Sequence, residues 1–168
     1  MNRLAIFLGL LLLAAPARAQ EPRIEGFEIV SVGTYEVDMA PGERDSQGVL
    51  QHIVSNERQT AATTSIPVRV GVTFGIQYRV TGAPDGAAIP VRHVYRFPYP
   101  GARPPGSPAP LRANSADYGA TLNGTSVATY TLEEPWELLP GRWVLEIWAG
   151  DRRLGEQAFT LVGDYAER

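Results

Sequence analysis

The sequence predicts an all-β chain, an immunoglobulin-like antiparallel β-sandwich of about seven strands, and three observations carry that expectation. Apolar and polar residues alternate in several separate stretches, the period that turns one face of a strand toward a core. Clusters of Gly, Pro, Asn and Asp punctuate those stretches at short intervals, as sandwich hairpins require. No stretch beyond the amino-terminal segment sustains an apolar stripe of helical period. A small open barrel is the alternative closure. The paired cysteines of antibody domains are missing, since the chain has no cysteine.

The first element is not part of the fold. Arg3, the apolar run Leu4 to Ala15 and the small-residue signature Ala17-Arg18-Ala19 form a secretory signal peptide. Its apolar run is short against the roughly 20 residues that span a bilayer. Cleavage after Ala19 leaves one domain, residues 20–168, as a periplasmic product with no membrane span after processing. Those 149 residues are enough to bury a core without disulfides. Every one of the 15 basic residues is Arg, and loss of Arg3 and Arg18 leaves 13 against 18 acids. That acidic balance excludes nucleic acid as an expected partner.

Strands are then expected over residues 24–37, 48–62, 68–80, 91–97, 125–132, 143–148 and 154–162. The clearest is VRVGVTFGIQYRV, thirteen residues of unbroken alternation read as one strand, with Val68 to Val80 on the core side. In the next, Val91, His93, Tyr95 and Phe97 share the core side; in 143–148, Trp143, Leu145 and Ile147 do. Turns are expected at Ala40-Pro41-Gly42, at 82–86, at Asn123-Gly124, at 139–141 and at 149–151. Residues 98–110 hold six prolines and form an extended loop, because proline neither donates to a sheet nor continues a helix.

Chemistry is sparse. No Gly-x-Ser-x-Gly elbow or phosphate-binding glycine loop occurs, and no cofactor is expected. The two histidines, His52 and His93, lie 41 residues apart without thiolates, so no metal site is expected. His93 on a core face reads as a satisfied structural side chain. Glu133, Glu134, Glu137 and Glu146 could supply the carboxylate pair of a glycosidase. The first three fall in a turn-rich connector and Glu146 on an outward face, so solvated acids are expected and no catalytic residue is assigned.

The three tryptophans fall between residues 136 and 148. Trp143 plugs the core and Trp136 caps an open end of the sandwich, whereas Trp148, five residues from Trp143, points to the outer face. Trp148 with Glu146 and Arg152 is therefore the candidate platform for a glycan or small ligand. The proline loop is the second candidate surface, through Tyr99, Arg103 and Arg112, for contact with another envelope protein.

Four stretches in order also resemble a known family: VGTYEV, TTSIPVRVGVTFGIQYRVTGAPDG, VRHVYRFPYPG and EEPWELLPGRWVLEIWAGDRRLGEQAFTLV. Together they are similar to the uncharacterised bacterial domain-of-unknown-function family 3859. The resemblance covers nearly the whole chain after the leader and implies an exported all-β domain. It implies no activity, cofactor or catalytic residue. The leading functional expectation is a non-catalytic binding domain, with the glycan module at Trp148 and a carboxylate hydrolase as alternatives.

Overall fold

In a computed structural model, residues 20–44 and 49–163 are described, so the signal-peptide reading at 1–19 falls outside the described residues. The strands in chain order are β1 (Arg23–Arg44), β2 (Leu50–Ala61), β3 (Ser65–Pro67), β4 (Thr73–Ala83) and β5 (Ala88–Arg96). They continue with β6 (Ala113–Thr121), β7 (Thr125–Thr131), β8 (Gly141–Ala149) and β9 (Arg152–Val162), and a single 3-10 turn, Pro135–Glu137, precedes β8. One sheet runs β2-β1-β4-β7 and the other β3-β9-β8-β5-β6. All pairings are antiparallel except that of β3 with β9. The architecture is the expected immunoglobulin-like sandwich, with nine strands where about seven were expected.

The core follows the period-two readings. Phe74, Ile76, Tyr78 and Val80 of β4 meet Val91, His93 and Tyr95 of β5 and Trp143, Leu145 and Ile147 of β8, all buried. Trp143 sits at its centre, 1% exposed. Its ring meets Phe97 at 4.8 Å, Tyr130 at 5.3 Å and Phe74 at 5.7 Å in edge-on contacts, the arrangement that ring quadrupoles favour. Its indole N–H donates to the Leu139 carbonyl at 3.0 Å, so the one polar atom carried inside is satisfied.

Four expectations are corrected. The alternation at 68–80 is not one strand: β4 begins at Thr73, and residues 68–72 carry the chain from one sheet to the other. Gly71 turns there at φ +87°, open only to glycine without strain, and leaves Val70 51% exposed. Ala40-Pro41-Gly42 lies inside β1 at a register irregularity between Ala40 and Glu43, so it bends a strand instead of ending one. The two strands not foreseen, β3 and β6, are sheet edges; ANSADYGAT is small and polar because an edge strand buries little. Glu137 and Glu146 are buried, not solvated.

Candidate functional site

β6 and β7 are consecutive in the chain, joined through Asn123-Gly124, yet each is the edge of a different sheet. Asn123 makes this possible. It adopts φ +64° and its side chain bonds to the Gly82 amide (3.1 Å), the Gly82 carbonyl (3.0 Å) and Asp85 (2.8 Å), pinning the turn to the β4–β5 connection. From this pinned point the strands part, and a cleft of about 540 Å³ opens between them. Asn114 and Tyr118 line it from β6, Ser126, Val127 and Thr129 from β7, and Tyr78, His93, Tyr95 and Tyr130 form its floor. Glu133 and Glu137 lie at the end away from the turn, where Met39, Val49 and Glu57 of the β1–β2 ribbon also reach it.

The floor is a network of satisfied polar tips on aromatic bodies. Tyr78 Oη and His93 Nε2 share a hydrogen bond of 2.9 Å, and the His93 ring stacks on Tyr118 at 4.3 Å. Tyr95 donates to the Thr129 carbonyl at 2.8 Å and Tyr130 donates to Glu137 Oε1 at 2.7 Å. Glu137 Oε2 accepts the Glu133 and Glu134 amides at 2.7 and 2.8 Å, fastening the 3-10 turn to the end of β7. Burial lowers the His93 pKa to about 4 and pushes Tyr78 up to about 12. Burial also raises Glu137, outweighing its hydrogen bonds. At neutral pH His93 is uncharged and only a weak proton acceptor, and the tyrosines are protonated.

Backbone direction gives the rims their character. The Leu132 N–H donates to the Val72 carbonyl at 2.9 Å and the Phe97 N–H to the Arg112 carbonyl at 3.0 Å. Even-numbered residues of β7 and β6 thus turn their amides and carbonyls to β4 and β5. By alternation, those of Ser115, Asp117, Val127 and Thr129 turn to the cleft side.

The residues singled out by sequence lie elsewhere. Trp148 is on the outer face of the five-stranded sheet as expected, half-buried, with its indole N–H donating to Glu146 Oε2 at 2.8 Å. Glu146 is 3% exposed beneath that indole and two arginines: Arg96 grips it at 2.6 and 3.1 Å, and Arg153 stands 3.5 Å away. Burial would raise this carboxyl, but the Arg96 and Trp148 hydrogen bonds and the two cations hold it below its ordinary value. Arg152 is exposed and pairs across to Ala149; the irregularity after Ile147 gives its place beside Trp148 to Arg153.

Tyr99 is 86% exposed in the proline loop, with the Arg112 guanidinium 5.1 Å above its ring, and Arg103 is exposed nearby. The loop is closed at its base by paired hydrogen bonds between Ala102 and Leu111 of 2.9 and 2.7 Å, and Ala102 is buried in the core. Trp136 packs on the core at the sandwich end, with its indole N–H buried and unpaired. His93 is the satisfied structural histidine expected. Tyr118, Tyr130 and Glu137 as a cleft lining were not foreseen; the available signal was the run of tyrosines at core-facing positions, whose hydroxyls need buried partners. Among the described residues, no group of three or more His, Cys, Asp or Glu could hold a metal ion, and no helix is long and apolar enough to cross a membrane.

The family model described as "Domain of unknown function (DUF3859)" matches residues 24–161. Among solved structures, an immunoglobulin-like protein from Pseudomonas aeruginosa is 26% identical, with 87% of this chain and 99% of that chain covered and a TM-score of 0.58. The Pseudomonas fluorescens alkylpurine DNA glycosylase AlkC, solved with DNA containing an abasic-site analogue, is 13% identical over 78% of this chain and 30% of its own, with a TM-score of 0.38. No curated protein matches the sequence significantly.

Proposed function

Because the chain belongs to the DUF3859 family, whose description assigns no activity, we propose from its own geometry that it is a non-catalytic binding domain that takes its ligand in the cleft between β6 and β7. One observation carries this reading: a cleft of about 540 Å³ floored by aromatic rings, within the size range of ligand sites and with their mixture of apolar bodies and placed polar groups. The floor's own bonding supports binding over catalysis, since burial makes His93 a weak proton acceptor and the two Glu137 oxygens receive three hydrogen bonds. With its leader, the domain acts in the periplasm, on a ligand supplied by another envelope protein.

This reading moves the contact surface away from Trp148, whose indole N–H is spent on Glu146. A fragment screen by backbone-amide NMR tests it. Hits are expected to perturb Tyr118, Ser126 and Val127, and Tyr118→Ala should weaken them at least tenfold while Trp148→Ala leaves them unchanged. Hits clustered around Trp148 or Tyr99, or none at the cleft, would contradict it.

A further inference from the structure

Edge strands of soluble proteins are normally protected against pairing by proline, by charge or by shortness. β3 is three residues long and ends in Pro67, and β2 carries Glu57 and Arg58. β6 and β7 have no such protection. ANSADYGAT and TSVATYT contain no proline, lysine or arginine. Their one charge, Asp117, is drawn to the outer face by Arg92, which grips it at 2.7 and 3.3 Å. The two unprotected edges are thus the pair that flanks the cleft, and both turn backbone groups along it, of which the Thr129 carbonyl already accepts the Tyr95 hydroxyl.

The spacing suits one particular guest. A hydrogen-bonded strand lies about 4.8 Å from its neighbour in the plane of the sheet, so an extended strand at the seam can add to the free edge of β6 or of β7. A sugar would meet these backbone rows with no matching repeat, and His93 already covers one face of Tyr118. The carboxylates lining the cleft are Glu57, Glu133 and Glu137; the Glu137 oxygens are held by Tyr130 and two backbone amides, and among the described residues no arginine lines the cleft.

We propose that the β6–β7 seam receives an extended peptide segment of a partner protein by strand addition, with a basic side chain of the guest at the Glu57 end. The proposal rests on the cleft being the binding site and names what fills it. Backbone hydrogen bonds supply the recognition, and alternate guest side chains point onto the tyrosine floor. At about 3.3 Å per residue, the seven residues of β7 accommodate a segment of about six.

The probe is a capped octapeptide of alternating valine and arginine, labelled for fluorescence anisotropy and titrated into the full chain. Saturable binding is expected, with shifts in the backbone amides of Ser115, Asp117, Val127 and Thr129. N-methylation of alternate peptide amides along one edge should weaken it at least tenfold, as should exchange of arginine for glutamate. Val127→Pro, which removes a donor on the cleft side of an edge strand, should act likewise; if that variant does not fold, the N-methylated peptide on the wild-type chain still decides.

Equal binding of the N-methylated peptide would overturn strand addition in favour of side-chain attraction alone. A chitooligosaccharide that shifts the cleft resonances while the octapeptide does not would overturn it in favour of a glycan. Self-association that Val127→Pro abolishes and the octapeptide cannot displace would overturn it in favour of a second copy. Fragments that bind the cleft while no peptide does would sink the peptide and leave the binding cleft standing, whereas failure of fragments and peptide alike would remove both.

Discussion

Trp143 and Trp148 show how much a single residue's parity can and cannot say. Five residues apart on one strand, they were placed on opposite faces from sequence, and they lie there. Trp143→Ala should cost about 3–5 kcal/mol, as large aromatic deletions from cores do, and Trp148→Ala under about 2 kcal/mol; urea unfolding of both variants checks the contrast. Parity did not reveal that Glu146 is buried, because its cover comes from Arg96, fifty residues away, and from Arg153. His93 carries a pH signature. Its folded pKa of about 4 lies below its ordinary 6.5, so the stability from keeping it neutral is complete above about pH 6.5 and is lost as pH falls toward 4, roughly 3 kcal/mol in full. The stability of His93→Phe should vary less over that window, and an unchanged slope would show that His93 is not the group responsible.

At the scale of elements, strands with a buried face were legible and edges were not. β4, β5 and β8 each bury alternate residues, and the alternation is written in their side chains. β6 buries only Asn114 and Ala120, so its sequence lacks that mark, and with β6 unseen the cleft it borders could not be foreseen either. The reverse error occurred at 68–72, where alternating valines continue through a turn that hydrogen bonds, not hydrophobicity, define: the Gly71 amide bonds to Leu132 and the Val68 amide to Val162. The proline loop was read correctly as a loop, and its attachment decides what it does. With Ala102 buried and hydrogen-bonded to Leu111, replacing residues 101–110 by a short Gly/Ser linker should lower the melting temperature by several degrees, because packing and hydrogen bonds are removed. Thermal melts decide it, and an unchanged midpoint would mean that the loop contributes nothing to the sandwich.

At the scale of the molecule, seven strand signals and frequent turns were enough to give two facing sheets, since few other layouts bury so many half-apolar strands. Which edges stay open is set by pairing order, which no local pattern encodes. Export is the molecule's expected itinerary, and intact-mass measurement of envelope material should find a chain beginning at Gln20 or Glu21, with a retained Met1 contradicting it. The open seam itself is tested most directly by residue-resolved amide hydrogen exchange on the free chain. Val127 and Thr129 of β7 and Ser115 and Asp117 of β6 should exchange quickly, while the alternating neighbours Ala128, Tyr130 and Ala116, bonded within their sheets, are strongly protected. Equal protection of both sets would mean that β6 and β7 are already paired, and that no seam is open to a guest.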